Sequence, residues 1–453
     1  MIFTFNYGIS SFFCVIFLNS LSNVLLDFLI LPKHSIFLEF LQKCLIVYKF
    51  HTFFMVILDK LYDKVNIYLF PRRFSMPVTG VIVEYNPFHN GHIHHLKQAR
   101  LKTNCDVLIA VMSGHFTQRG EPSVIDKWTR TRFALEYGVD LVIELPFNYA
   151  TQSADYFAFG ALKLLNALGV DTLIYGSESN NADELCQIAQ AINSQQETYD
   201  RLVKEAMNQG VRYPTACNQA LSALLNKEIR LPNDLLAFSY MKEIIKQHYP
   251  IQPISIARTN DFHDISLNGK ISSATSIRQA LKDHTDISET TPMAKELVKN
   301  PILLEDFYEL LYYELISNPH LDQYHLVDEG INKLMVKKIM TASSMEDFIL
   351  SLTSKRYTQA RIQRTILSIL MNQPRGLYPI DYVRVLGMNE IGQRYLNQIK
   401  KKSPISIISN FSSSQSPLLD LELKATKLYA CALPLKKRLA LIEKEYKGKP
   451  IRI

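Results

Sequence analysis

MPVTGVIVEYNPFHNGHIHHLKQARLKT, residues 76–103, carries the first strand, the first helix and the turn between them. Val78–Glu84 is a run of strand length, and His92–Thr103 reads as a helix. Between them lies Glu84-Tyr85-Asn86-Pro87-Phe88-His89-Asn90-Gly91-His92, a sharp strand-to-helix turn in which Gly91 lets backbone approach a phosphate. The helix N-terminus adds N–H donors and positive potential. His89 and His92, three apart, can face one point there. Imidazoles so placed donate hydrogen bonds to an α-phosphate and stabilise charge developing in nucleotidyl transfer. Two histidines also suggest zinc, and His94 and His95 add to that reading. Against it, no cysteine or carboxylate cluster accompanies them and no HExxH is present.

The pattern continues outward from this stretch. Strand-like runs at Asp106–Met112, Asp140–Leu145 and Asp171–Gly176 alternate with helical patterns at Lys127–Tyr137 and Ala154–Leu168. Such alternation means βαβ units and a parallel sheet. Ligands of these sheets sit beyond the carboxyl ends of the strands, at a topological switch point. The HxGH turn follows a strand end, so it lies where chemistry is expected. Residues 178–245 look helical, with a break at Leu231-Pro232-Asn233, and Pro253–Arg258 reads as a fifth strand. Beyond about residue 295 helices dominate, at Ile302–Ile316, Glu329–Thr341, Met345–Ser354 and Thr358–Met371. Ile380–Val385 and Ile405–Ile408 read as short strands, and 403–416 is a Ser-rich loop region. The expected fold class is α/β: a parallel-sheet, Rossmann-like domain over 76–295, then a basic, mainly helical region over 296–453.

The full length, 453 residues, suits two or three domains. Six scattered cysteines without a CxxC pair argue against a disulfide scaffold or zinc knuckle and for a reducing cytoplasm. Residues 331–453 carry 22 Lys or Arg against 8 Asp or Glu, a net +14 in a chain whose total is +7. A basic module joined to an acidic one points to a polyanion partner, above all nucleic acid, although a solvated lysine-rich surface has the same composition.

Residues 1–75 differ from the rest. They hold 13 of the 24 Phe, no Ala and one Gly, and up to Leu31 the only charge is Asp27. The run is long enough for a membrane span. A signal peptide fits poorly, because no Lys or Arg precedes the run and no A-x-A site follows it. Its Phe, Ile, Leu, Asn, Lys and Tyr bias is that of translated AT-rich DNA, so the expected start is Met76. The alternative is a membrane anchor.

A second motif, Ile271-Ser272-Ser273-Ala274-Thr275-Ser276-Ile277-Arg278, opens another helix. Its hydroxyls can cap that helix, and with the amides they can also bind phosphate. Arg278 can neutralise β- and γ-phosphate charge. HxGH near one end and ISSxxxIR near the other resemble the HIGH nucleotidyltransferase superfamily. The resemblance narrows with SGHFTQRGEPSVIDKWTRTRFAL (113–135), DLVIELPF (140–147), YGSES (175–179), LPNDLLAFSY (231–240) and TSKRYTQARIQR (353–364). In that order they are similar to the bacterial tRNA(Met) cytidine acetate ligases, over nearly all of 76–453.

The resemblance implies an enzyme that uses ATP and acetate to form acetyl-adenylate. It then acetylates N4 of the wobble cytidine of elongator tRNA(Met), with Mg²⁺ accompanying the nucleotide. It implies ATP contacts at Ile82, Val83, Glu84, Tyr85, Asn86, Pro87, Phe88, His89, Asn90, Gly91, His92, Ile93, His94 and His95, and at Gly176, Asn233 and Arg258. Taken singly, the last three also read as a turn glycine, a capping asparagine and a surface arginine. His89 and His92 are the candidate catalytic residues, with Ser273 and Arg278 on phosphate. The loop 113–120, just after strand two, either lines the acetate or cytidine pocket or is structural. Lys355, Arg356, Arg361 and Arg364 are candidate tRNA contacts or a plain charged face, with Arg361 and Arg364 on one helix side. Competing readings are a small-metabolite adenylyltransferase, a class usually much shorter, and a non-catalytic ATP-dependent RNA-binding protein.

Overall fold

The apolar runs assemble into a sheet in a computed structural model that describes residues 76–229, 231–257, 272–411 and 415–453. The expectations for residues 1–75, Ile271 and Arg258 fall outside those residues. Strands β1 (Val78–Val83), β2 (Val107–Ser113), β3 (Leu141–Leu145), β4 (Thr172–Ser177) and β5 (Gln252–Ala257) are parallel, in spatial order β5-β4-β1-β2-β3. Both faces of the sheet are covered, which is why its strands read as continuous apolar runs. Alternate residues serve opposite cores. Val81, Leu108, Ala110, Met112 and Val142 face one side; Val107, Ile109, Val111, Leu141 and Ile143 face the other. Burying each such side chain fully is worth about 1.5–3 kcal/mol.

The helices of this part are α1 (Asn90–Thr103), α2 (Lys127–Glu136), α3 (Ala154–Ala167), α4 (Ala182–Ser194), α5 (Gln196–Asn208), α6 (Tyr213–Leu225), α7 (Pro232–Lys246) and α8 (Ala274–Lys282). The chain winds outward from β1 through β2 to β3, then crosses to β4 and β5 on the other side. β1 is therefore the switch strand, and the turn after it is the HxGH segment.

Beyond residue 295 the chain is mainly helical: α9 (Tyr308–Ser317), α10 (Ile331–Ile339), α11 (Met345–Leu352), α12 (Gln359–Leu370), α13 (Glu390–Ile399), α14 (Pro417–Cys431) and α15 (Leu435–Lys447). The helix expected over Ile302–Ile316 starts instead as a 3-10 turn, Leu304–Phe307, before α9. Asp306 explains the turn, because its carboxylate accepts the Leu303 N–H at 2.8 Å. Three strands also lie in this part. β6 (Tyr382–Met388) runs antiparallel to β3 and pairs in parallel with β7 (Ser406–Ile408) and β8 (Ile451–Arg452). Residues 76–453 cluster as one unit. Among the described residues no helix is long and apolar enough to cross a membrane.

A buried charge cluster fixes β6 and the last helices to β3. Lys127 reaches Glu445 at 2.8 Å, and Arg384 reaches Glu144 at 2.8 Å, all with side chains at most 3% exposed. Glu422, equally buried, accepts the Phe147 N–H. Burial, then the neighbouring Glu144 charge, push the Glu422 carboxyl well above its ordinary range. Burial also works against an ionised Glu445, but Arg384 and Lys127 prevail and hold it below the ordinary value. With Glu422 protonated, two cations face two carboxylates, which is the balance a low-dielectric site requires.

Candidate active site

The turn after β1 is built by its own side chains. His89 is the N-cap of α1, and its Nδ1 accepts the Gly91 N–H at 3.0 Å. His92, at the third helical position, returns the contact: its Nδ1 accepts the His89 N–H at 3.2 Å. This is a capping box made of two histidines. A ring nitrogen that accepts an N–H carries no proton, so in both neutral rings the proton sits on Nε2. The rings lie 3.8 Å apart, centroid to centroid. The sharp bend itself falls on Tyr85, at φ 51°, and not on Gly91, which is already helical. Gly91 serves by having no side chain where α1 meets the cavity.

That cavity lies beyond the carboxyl ends of β1, β4 and β5. Of the expected nucleotide residues, Ile82, Val83, Glu84, Tyr85, Asn86, His89, Gly91, His92, His94, His95, Gly176, Asn233, Ser273 and Arg278 line it. Pro87, Phe88, Asn90 and Ile93 do not. Phe88 is fully buried and packs on Tyr85 at 4.8 Å, while Ile93 packs against the core. Asn90 is tied to the 289–290 backbone. Gln118 lines the cavity from the 113–120 loop. Phe157, Tyr175, Leu236 and Tyr240 add a largely apolar wall that sequence reasoning missed. The signal for that wall was only the aromatic content of strand β4 and helices α3 and α7.

The first turns of three helices reach this cavity. α1 brings His89 and His92. α8 brings Ser272 and Ser273, with the Ser273 hydroxyl accepting the Ser276 N–H at 3.0 Å. α7 brings Asn233, whose N–H donates to the Glu178 carboxylate at 3.2 Å. Helix N-termini favour anions by partial positive charge and unpaired N–H groups, and at α7 that anion is already the Glu178 carboxylate, which also accepts the Asp234 N–H at 3.0 Å. Arg278 adds a full charge. Its guanidinium donates to the Asn86 carbonyl at 2.9 Å and lies 3.5 Å from the Glu121 carboxylate.

Two further groups hold the frame. Arg130 is fully buried and donates to the Glu84 carbonyl at 2.6 Å and the Ser113 carbonyl at 3.1 Å. It thereby satisfies backbone at the ends of β1 and β2. Burial lowers its pKa to about 10, so it stays charged at neutral pH. The Glu84 carboxylate accepts the Gln118 N–H at 2.6 Å. Burial lifts its pKa, against the pull of that N–H and of Arg119.

The candidate tRNA residues are placed unevenly. Lys355 is exposed. Arg356 pairs with Glu329 and Arg361 with Asp328, each at 2.7 Å. Arg364, three residues on from Arg361 in α12, turns inward and donates to the Gln118 carbonyl at 3.1 Å, and burial, then the Arg361 charge, lower its pKa to about 10. Among the described residues, no group of three His, Cys, Asp or Glu is placed to hold a metal ion.

Known proteins are similar to this chain in sequence and fold. The HIGH Nucleotidyl Transferase family model matches residues 76–443. A Halalkalibacterium halodurans protein named tRNA(Met) cytidine acetate ligase is 38% identical over 407 residues, spanning 83% of this chain and 98% of its own. The Bacillus subtilis protein of that name is also 38% identical, over 83% and 97%. The apo crystal structure of Thermotoga maritima TmcAL superposes with a TM-score of 0.76 at 31% identity, covering 83% of this chain and 100% of that one. Its form bound with alpha-thio ATP gives 0.73 at 31% identity.

Proposed function

The chain belongs to the HIGH nucleotidyl transferase family and, within it, to the tRNA(Met) cytidine acetate ligases, and on that basis we propose that it acetylates N4 of the wobble cytidine of elongator tRNA(Met) at the expense of ATP. The observation that carries this reading is the convergence of three helix first turns, the histidine capping box and Arg278 on one cavity at the switch strand.

The chemistry proceeds in two steps. An acetate oxygen attacks the α-phosphorus, the bond to the β-phosphate oxygen breaks, and pyrophosphate leaves. Acetate alone is a poor electrophile, and the adenylate supplies its leaving group. Cytidine N4 then attacks the acetyl carbon, AMP departs and a proton leaves N4. His89 and His92 donate their Nε2–H groups to α-phosphate oxygens, where charge builds in the first step. Ser273 and Arg278 hold the β- and γ-phosphates. Gly176 admits the nucleoside at the end of β4, and Asn233 reads a base edge or ribose hydroxyl. Mg²⁺ would accompany the triphosphate and offset its charge, as is usual for such nucleotide chemistry. A tRNA substrate places the enzyme in the cytoplasm.

The test uses the protein with ATP, Mg²⁺, labelled acetate and bacterial tRNA, followed by nucleoside digestion. The expected products are labelled N4-acetylcytidine and acetate-dependent exchange of pyrophosphate into ATP. A folded, ATP-binding protein that gives neither has no ligase activity, and the reading fails.

A further inference from the structure

Arg278 opens on two cavities. One is the nucleotide cavity. The other is a cleft between α8, the segment 121–124, residues 302–305 and helices α11 and α12. The partition between them is short: Gln118 lines the nucleotide side and Glu121 the cleft side. That partition is pinned from behind, because Arg364 on α12 donates to the Gln118 carbonyl and Gly120 lies against the backbone at Gln363 and Arg364.

The cleft has the chemistry of a base-binding site. Ile302, Ile349 and Leu350 give it apolar wall, and Leu350 is left 54% exposed. Lys282, Gln359 and Gln363 also line it, and none of their side chains bonds to another side chain or to backbone among the described residues. Three unspent polar side chains around apolar wall suit a flat heteroaromatic ring. Cytosine presents acceptors at O2 and N3 and a donor at N4. Glutamine amides donate to the first two, and a carboxylate such as Glu121 accepts from the third. A single-stranded anticodon base, splayed from its stack, is the form in which RNA offers those edges.

We propose that this cleft receives the acceptor cytosine of the RNA, with Glu121 facing N4 beside Arg278 and Lys282 meeting backbone phosphate. The proposal rests on the ligase reading above and adds the place where the second substrate binds.

The test uses full-length Lys282→Glu and Gln359→Trp, both at exposed positions, with Gln363→Ala as a milder third variant. Two activities are read: acetate-dependent ATP–pyrophosphate exchange, which needs no RNA, and acetyl transfer to transcribed elongator tRNA(Met). Binding of a fluorescent anticodon stem–loop is measured alongside. The expected result is a KM for tRNA and a stem–loop Kd at least tenfold higher, with exchange within twofold of the parent. Transfer and binding within twofold of the parent in all three variants would overturn the proposal. So would a parallel fall of exchange and transfer, which would assign the cleft to nucleotide or acetate. An unsubstituted protein lacking both activities would instead sink the ligase reading itself.

Discussion

His92 holds backbone with one ring nitrogen and carries its proton on the other. The two roles can be separated. Asparagine places its side-chain oxygen where Nδ1 now sits, so His92→Asn keeps an acceptor for the His89 N–H and removes the Nε2–H donor. Losing one donor to a transition-state oxygen costs roughly 10²–10³ in rate. The expected outcome is exchange activity down by that factor with a melting temperature close to the parent. His92→Ala should lose the same activity and also about 1 kcal/mol of stability with the cap. Equal activity in the asparagine variant would remove His92 from the chemistry. At this scale the sequence was readable where contacts are local. His89, Gly91 and His92 act on one another across a few residues, and their spacing shows it. Phe88 and Ile93 sit in the same segment yet face the core, because a turn entering a helix exposes only some of its residues to the cavity. The Arg130 clamp on the ends of β1 and β2 spans up to 46 residues and leaves no local pattern.

Elements were legible when they were apolar runs or amphipathic helices of ordinary length. β1 to β5 lie within a residue or so of their expected bounds. α13, α14 and α15 were not anticipated. α14 is buried on so many positions, from Leu418 to Ala430, that it shows little amphipathic alternation. The loop from Ser113 to Gly120 reads as either a wall of the acetate or cytidine pocket or a structural loop, and the structure shows one residue of it at the cavity after β1 and another held against α12. Gln118 faces the nucleotide cavity, while Gly120 adopts φ 83°, and a side chain there would meet the Gln363 carbonyl carbon at 2.6 Å. Backbone cannot give way as a side-chain tip can. Gly120→Ala is therefore expected to cost about 2–4 kcal/mol, from the left-handed backbone and the overlap together. Chemical denaturation measures it, and a loss below 1 kcal/mol would mean that the loop detaches from α12 without consequence.

For the molecule as a whole, charge counting was a coarse guide. The +14 of residues 331–453 includes Arg384, which is buried against Glu144 and Glu445, and Arg356 and Arg361, which are paired with Glu329 and Asp328. Less of that charge is available to a polyanion than the sum implies. The buried cluster also sets a pH dependence. In the unfolded chain Glu422 ionises near its ordinary 4.5, whereas the folded chain keeps the proton well above that. The unfolded state thus binds fewer protons, and stability falls as pH rises, by about 1.4 kcal/mol per pH unit between 4.5 and the folded pKa. His115 acts in the opposite sense: burial, then Lys127, hold it neutral, so its contribution is lost as pH falls below 6.5. Glu422→Gln keeps an acceptor for the Phe147 N–H and has no proton to lose. Its stability relative to the parent should rise as pH climbs from 5, by at most about 1.4 kcal/mol per unit and only until the folded pKa of Glu422 is passed. Parallel denaturation curves over that range would show that Glu422 is ionised in the fold. None of this was visible in the sequence, because the cluster joins residues as far apart as Lys127 and Glu445.

The place of β6 in the sheet has a consequence for synthesis. A ribosome delivers β1 to β5 in order, and they can pair as they emerge. The free edge of β3, whose side chains are buried on both faces in the finished fold, then waits more than 230 residues for the strand that covers it. Until Tyr382–Met388 has left the exit tunnel, that edge is a template for any extended chain nearby. A nascent protein stalled between residues 150 and 380 is the form of this polypeptide most exposed to aggregation, and the one most in need of a chaperone.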